Sequence, residues 1–291
     1  MQPLAKMKKV FCYCFDRKGM IPFSTSIYSL MCKVKGPKRV YCITRGVDCI
    51  PLSLVDLACQ YGCEITQIDL SRGVGSYYID NYCSPGGMTA SSFDRLLIPE
   101  LLPVDINSCL YLDVDTLVLS DFNTEFFSSL ERSKFLFSFR PSTTSWISMR
   151  VVALERVGQD MAKTINRDWT HGNIGIMGIN MRPCRLRRPF EDAFACAEKY
   201  STTVQTALNY ILEGNFERLN STYNVLANQE CITDLPRATI LHYAGHKKPW
   251  RDKLQCESCK SVWWDYYHSL RSSGFECSFC GPEVGWYSDY L

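Results

Sequence analysis

Two aspartates, Asp113 and Asp115, close an otherwise apolar run, Tyr111-Leu112-Asp113-Val114-Asp115-Thr116-Leu117. Carboxylates repel one another, and each is costly to desolvate unless something compensates. A divalent cation would do so, because hard cations take carboxylate oxygens and bring phosphate oxygens with them. Asp113 could also divide its role between the cation and a sugar or ribose. An ordinary exposed turn at a strand end would account equally for a bare Asp-x-Asp. A second group lies far downstream, where His242, Gly245 and Lys248 fall within His242-Tyr243-Ala244-Gly245-His246-Lys247-Lys248-Pro249-Trp250. A third is Cys256-x-x-Cys259 with Cys277-x-x-Cys280, 17 residues apart, a spacing that fits a closed four-thiolate zinc site.

The elements that must position these groups alternate. Lys9–Phe15, Arg39–Thr44, Cys63–Asp69 and Ser108–Val114 read as strands, and Ile50–Tyr61 and Ser91–Leu102 as helices. In the second helix Phe93, Leu96, Leu97 and Leu101 share a face, and Ser91 with Asp94 resembles a capping box. Further strands are expected at Phe135–Phe139, Ile174–Asn180 and Thr239–Tyr243. Helices are expected from Pro189 to about Tyr200 and from about Thr203 to Glu213, the latter stopped by Gly214. Such alternation predicts βαβ units and a mostly parallel sheet. Ligands bind beyond the carboxyl ends of such strands, which is where Asp113 and Asp115 fall.

Composition narrows the classes. A chain of 291 residues with 46% hydrophobic and 21% charged residues can bury one large core and an appendage. A net charge of +2 gives no push toward nucleic acid. No apolar stretch is long enough to span a membrane. After Lys6, Lys8 and Lys9, the run Val10 to Phe15 is too short for a signal-peptide core and reads as a first strand. Many of the 16 cysteines lie in apolar runs, among them Cys12, Cys14, Cys42 and Cys109, where a thiol acts as a small hydrophobe. A reducing, cytoplasmic compartment follows as the expectation, and Asn220-Ser221-Thr222 is then a chance match to a glycosylation acceptor.

Four separated segments together resemble the nucleotide-sugar glycosyltransferases of family 8. They are Tyr111–Leu117, Asn173-Ile174-Gly175-Ile176-Met177-Gly178-Ile179-Asn180, Gln205 to Asn209, and His242 to Trp250, of which His-x-x-Gly-x-x-Lys-Pro-Trp is the most specific. The resemblance implies a GT-A fold, a Rossmann-like nucleotide-sugar domain over residues 8–250, with a small cysteine-rich helical subdomain at 251–291. It implies that Asp113, Asp115 and His242 hold Mn²⁺ or Mg²⁺, an oxygen and imidazole set that suits Mn²⁺ better. It implies that Lys248, Gly245 and Val114 face the phosphates of a UDP-sugar, and that Asp16, with Cys14 beside it, receives the base. On the sugar side it places Arg95, Asp113, Asn173 and Gln205, with Gln205 near the anomeric carbon. The flanking Phe93, Leu96 and Leu97 would leave Arg95 free to reach the ligand; a plain solvated arginine is the alternative.

The chain also departs from the family. Gly19 stands where a tyrosine often stacks on the base, and Val204-Gln205-Thr206 replaces the common Asp-Gln-Asp, so sugar identity does not carry over. Family 8 enzymes retain anomeric configuration, and no matched residue is a good carboxylate nucleophile, which favours front-face substitution. The expectation is therefore a retaining transferase moving a hexose, galactose or glucose, from UDP to a hydroxyl on a glycan, glycolipid or protein. The rival is a non-catalytic scaffold whose zinc knuckle binds a partner. The four C-terminal cysteines lie outside the family pattern, and a structural Zn²⁺ there would tie together the ends of the aromatic helix around Trp263. Free or disulfide-linked cysteines are the alternative. The tail aromatics Trp286, Tyr287 and Tyr290 would pack on this knuckle or touch a membrane interface. The basic cluster Arg182, Arg185, Arg187 and Arg188 would be solvated surface or would help a peripheral enzyme meet anionic lipid.

Overall fold

A computed structural model of the chain describes residues 9–71, 92–123, 125–141, 159–166, 168–227, 235–251, 254 and 256–277. Of the residues singled out from the sequence, Lys6, Lys8, Ser91, Cys280, Trp286, Tyr287 and Tyr290 lie outside these. In chain order the elements are β1 (Lys9–Asp16), α1 (Met20–Lys33), β2 (Lys38–Arg45), α2 (Leu52–Gln60), β3 (Cys63–Asp69), α3 (Ile98–Leu101), β4 (Ser108–Leu112), β5 (Thr116–Val118), α4 (Phe126–Arg132), β6 (Phe137–Pro141), α5 (Gln159–Thr164), β7 (Gly172–Asn180), α6 (Met181–Arg187), α7 (Pro189–Tyr200), α8 (Val204–Leu212), β8 (Glu217–Arg218), β9 (Val225–Leu226), β10 (Ile240–His242) and α9 (Glu257–Ser272). The fold is α/β with a mostly parallel central sheet. By contacts the chain forms two compact units, one from residues 1–69, 112–124 and 221–291, the other from 70–111 and 125–220.

In the first unit β1 pairs in parallel with β2, Val10 opposite Arg39 and Phe15 opposite Thr44, and β2 pairs in parallel with β3. Every residue from Val10 to Phe15 is buried, as both-face coverage of a parallel strand requires. The cysteines fill the same role: Cys12 and Cys42 are fully buried, and burial pushes the Cys63 thiol up to about 12. Such thiols pack and do not react. A buried lysine holds the entry to β2, with Lys38 Nζ donating to the carbonyls of Val34, Gly36 and Tyr61 at 2.8, 2.9 and 2.9 Å.

Helix α1 is buried almost all round, from Met20 to Met31, and its hydroxyls are bonded. Ser24 and Thr25 bond back to Met20 O and Ile21 O, at 2.8 and 3.0 Å. Ser26 and Ser29 instead reach β5: Ser26 Oγ lies 3.2 Å from Thr116 Oγ1, and Ser29 Oγ accepts from Val118 N at 2.9 Å. The sheet β5-β10-β9 belongs to the same unit, β10 antiparallel to β5 and parallel to β9. Helix α9 also lies in this unit and packs on α1, with Tyr28 Oη 3.2 Å from Ser273 Oγ.

The second unit carries the strand order β4-β7-β6-β8, with β6 antiparallel to β7 and parallel to β8. Helices α7 and α8 run as their punctuation predicts. Pro189 opens α7; Thr203 Oγ1 accepts from Thr206 N at 3.3 Å to cap α8; Glu213 and Gly214, at φ 52° and 79°, close it.

One predicted helix is broken. Ser91–Leu102 is not continuous: among the described residues, a 3-10 turn over Asp94–Leu96 is followed by the four-residue α3, with Pro99 in its first turn. A proline there lacks the N–H that would bond back one turn, and its ring clashes with that carbonyl, so the chain must restart. The apolar face survives the break, with Phe93, Leu96 and Leu97 buried. The basic cluster is also largely engaged within this unit. Arg185 donates to the carbonyls of Pro99, Leu102, Pro103, Val104 and Ile106, between 2.7 and 3.2 Å. Arg187 pairs with Asp192, and Arg188 with Glu100 and Glu191.

Candidate metal and nucleotide-sugar site

The Asp-x-Asp turn sits between β4 and β5. Asp113 O accepts from Thr116 Oγ1 at 2.8 Å, which closes the turn and leaves both carboxylates projecting from it. The pairing of β5 with β10 then sets Thr116 opposite His242, and Tyr243 N donates to Asp115 O at 2.9 Å. Two segments far apart in sequence are thus locked in register. Among the described residues this yields one group able to hold a metal ion: Asp113, Asp115 and His242 each offer a ligand atom, all within 4.8 Å of one another.

The electrostatics suit a cation. His242 Nε2 lies 3.4 Å from Asp115 Oδ1 and 3.9 Å from Asp113 Oδ2. Asp115 Oδ1 is buried, and among the described residues no donor reaches it in hydrogen-bonding geometry. A buried, unsatisfied carboxylate oxygen is costly, and a hard cation would relieve it. Lys248 Nζ is in contact with the other oxygen, Asp115 Oδ2, and also donates to Tyr243 O at 2.6 Å. Burial alone would raise the pKa of Asp115; against it, the Lys248 ammonium leads the effects that hold the carboxyl well below the usual carboxylate range. It therefore stays anionic, as a metal ligand must. Gly245, between His242 and Lys248, adopts φ 82°, a conformation that requires glycine in practice.

The residues expected on the base side have structural duties of their own in the first unit. Asp16 Oδ1 accepts from Lys18 N and Gly19 N, at 3.0 and 3.3 Å, capping the turn that leads into α1. Cys14 is buried in β1. Gly19 has a local reason to lack a side chain. A Cβ there would lie 2.8 Å from Phe15 Cβ, and the Phe15 ring is held against Phe23 at 4.3 Å between centroids.

Of the residues expected on the sugar side, Arg95, Asn173 and Gln205 lie in the second unit, at the backbone around Ile174, and Asp113 lies in the first. Ile174 N donates to Gln205 Oε1 and Ile174 O accepts from Arg95 Nη1, both at 3.3 Å. Asn173, one residue before, folds its own Oδ1 onto Gly175 N at 3.1 Å. Arg95 departs from expectation. Instead of being left free by its apolar neighbours, it also donates to Ser92 O at 2.8 Å and lies over the Tyr111 ring, 4.8 Å from the centroid. The short turn holding it, not a continuous helix, aims it inward. Val204 is 2% exposed, so that position packs.

Three supporting residues escaped sequence reasoning. Asn209, fully buried, clamps the start of β7: Oδ1 accepts from Gly172 N at 2.6 Å, and Nδ2 donates to Gly172 O and Gln205 O at 2.8 Å each. Thr116 closes the aspartate turn. Asn224, also fully buried, places Oδ1 2.9 Å from His242 Nδ1. The available signal for Asn209 was a polar residue one turn after Gln205 on a helix that is otherwise apolar there.

The C-terminal cysteines are arranged differently. Cys256 is the N-cap of α9 and Cys259 is buried in its first turn, whereas Cys277 follows the helix at its other end. Sixteen helical residues, a rise of about 24 Å, separate the two positions. The described residues do not bring Cys277 into a metal-ready group with the other two.

Comparison with known proteins gives the family and the fold. The profile of glycosyl transferase family 8 matches residues 10–254. Glycosyltransferase GlyA of Streptococcus pneumoniae serotype 4 is 35% identical over 79 residues, 25% of this chain and 11% of that protein. Glycosyltransferase GlyF of the same organism is 37% identical over 71 residues, 21% and 17% of the two chains. The chain thus matches less than a fifth of the length of these curated relatives. Among solved structures, galactosyltransferase LgtC in complex with donor and acceptor sugar analogues superposes with a TM-score of 0.72 at 16% identity, over 97% of this chain and 99% of that one. GlyE of Streptococcus pneumoniae TIGR4 gives 0.61 at 17%, over 91% and 63%. Mouse xyloside xylosyltransferase 1 gives 0.55 at 14%, over 81% and 97%. At such identities the likeness is one of fold.

Proposed function

Because the chain belongs to glycosyl transferase family 8, we propose that it is a retaining transferase that moves a hexose, galactose or glucose, from a UDP-sugar to an acceptor hydroxyl on a glycan or glycolipid. A protein side chain is the second choice of acceptor. The observation that carries this reading is the trio Asp113, Asp115 and His242, with its buried and undonated carboxylate oxygen. These residues would hold Mn²⁺, or Mg²⁺, which when bound stabilises negative charge on a departing diphosphate. Lys248 adds a point charge beside them, and Gly245 and Val114 let backbone approach the phosphates. Asp16 and Cys14 line the base side. Arg95, Asn173 and Gln205 serve the sugar, where Gln205 contributes a dipole near the anomeric carbon.

Asp113 is given to the cation and no other residue of this set is a carboxylate nucleophile for the sugar, so the reaction proposed is front-face substitution. The acceptor oxygen bonds to the anomeric carbon as the bond from that carbon to the β-phosphate oxygen breaks, and the acceptor proton passes to the phosphate. Trapping a covalent glycosyl-enzyme on any side chain would overturn this step. A cytoplasmic or membrane-peripheral place of action belongs to the same proposal, and among the described residues no helix is long and apolar enough to cross a membrane. So does a division into a transferase domain, 8–250, and a C-terminal subdomain, 251–291. Zn²⁺ at Cys256, Cys259, Cys277 and Cys280 is proposed on the spacing of the two pairs alone.

A panel of UDP-sugars, assayed for release of UDP with and without Mn²⁺, tests the reading and names the donor. A silent panel, together with UDP binding that Asp115→Ala leaves unaltered, would favour the scaffold for which Gly19 and Val204 speak.

A further inference from the structure

We propose that Asn224 is a positioning residue that fixes the tautomer of His242 and so makes the trio a cation site in place of an imidazole–carboxylate contact. The proposal rests on the reading of Asp113, Asp115 and His242 as cation ligands. A neutral imidazole has one N–H and one lone pair, and which nitrogen holds which is set by the partner of the other. Asn224 ends a 3-10 turn, Ser221–Asn224, that runs into β9. The parallel pairing of β9 with β10 places Leu226 opposite His242, and Ala227 N donates to His242 O at 2.9 Å. This pairing brings the Asn224 amide to the far side of the imidazole, 2.9 Å from Nδ1, with Asn224 fully buried and His242 2% exposed.

An amide oxygen only accepts, so Nδ1 carries the hydrogen and donates it to Oδ1. The lone pair is therefore on Nε2, the nitrogen that faces Asp115 Oδ1 at 3.4 Å and Asp113 Oδ2 at 3.9 Å. A lone pair turned toward two carboxylates is repulsive unless positive charge lies among the three. The opposite tautomer would let Nε2–H bond to Asp115 and satisfy the orphaned oxygen within the protein. Asn224 forbids that arrangement at no cost in net charge. Partners of this kind typically alter metal affinity by about 10–100-fold.

Two measurements on the full chain test the proposal. ¹⁵N NMR of the imidazoles, metal-free at about pH 8 and above the ordinary histidine range of about 6.5, reads the tautomer directly, with His242→Gln identifying the resonance. Protonated Nδ1 and bare Nε2 are expected; protonated Nε2 would overturn the proposal. Mn²⁺ titration followed by EPR reads the consequence. Asn224→Leu, which removes the acceptor, should weaken Mn²⁺ about 10–100-fold. Asn224→Asp, which accepts and cannot flip, should stay within a few-fold of the native chain. Unchanged affinity in Asn224→Leu, or an equal loss in Asn224→Asp, would overturn it. Should Asn224→Leu fail to fold, the NMR result and Asn224→Asp still decide. A native chain that binds no Mn²⁺ would instead refute the cation reading of the site, and the tautomer measurement would judge Asn224 separately.

Discussion

At the scale of single residues, the site joins groups that carry charge to groups that keep it in place. Asp115 is anionic foremost because the Lys248 ammonium opposes the effect of burial, and His242 is oriented because Asn224 receives its Nδ1–H. Gly19 shows how packing can decide the chemistry available. Its φ of −78° is ordinary, so alanine there should gain up to about 1 kcal/mol from a stiffer unfolded chain. The 2.8 Å approach of a Cβ to Phe15 Cβ works the other way, and overpacking of this kind costs about 1–3 kcal/mol. The larger effect should win, so Gly19→Ala is expected to lower the urea midpoint of unfolding. A raised midpoint would mean that Phe15 yields freely and that the missing base-stacking side chain has no steric cause. The ligand trio was legible because carboxylates and histidine are conspicuous at strand ends. Asn224 and Thr116 were not, since a buried amide or hydroxyl gains its meaning only from the strand pairing that aims it.

At the scale of elements, punctuation explains what could be read. Pro189 and Gly214 mark α7 and the end of α8 because one lacks an N–H and the other tolerates positive φ. Pro99 carried the same kind of information inside Ser91–Leu102, where the apolar stripe masked it; the stripe is real, but the backbone beneath it is a turn and a short helix. The two-residue strands β8 and β9 have no periodicity to detect, and β9 is the one that delivers Asn224. Two tests belong here. Asn209→Leu should destabilise the chain by about 1–3 kcal/mol for each Gly172 backbone group it leaves unpaired, and a loss under half that in urea unfolding would show that water replaces the clamp. His171, just before β7, is buried, and burial pushes its pKa down to about 4. The unfolded chain then binds the extra proton between about 6.5 and about 4, so stability should fall as pH drops through that window, by at most about 3 kcal/mol. His171→Gln should flatten this part of the stability profile; an unaltered slope would assign it to other groups.

At the scale of the whole molecule, the residues singled out from the sequence divide between the two compact units. The first holds Asp113, Asp115, His242, Lys248, Asp16 and Cys14; the second gathers Arg95, Asn173 and Gln205 at the backbone around Ile174. The family and the α/β fold were legible because the four matching segments are short and rich in chemistry. The contact grouping of residues 221–291 with the N-terminal strands was not, since the chain leaves that unit twice and returns. The proposed zinc is decided by elemental analysis of the chain made without added metal. About one zinc per chain is expected, and less than about half would count against the site. Asp113, Asp115 and His242 are proposed to make this chain a cation-dependent transferase. UDP release from UDP-galactose and UDP-glucose, measured with Mn²⁺ and then with EDTA, for the native chain and Asp115→Asn, tests it most directly. Release that needs Mn²⁺ and falls at least about 100-fold in Asp115→Asn is predicted. Release that is indifferent to EDTA and to the substitution would contradict it.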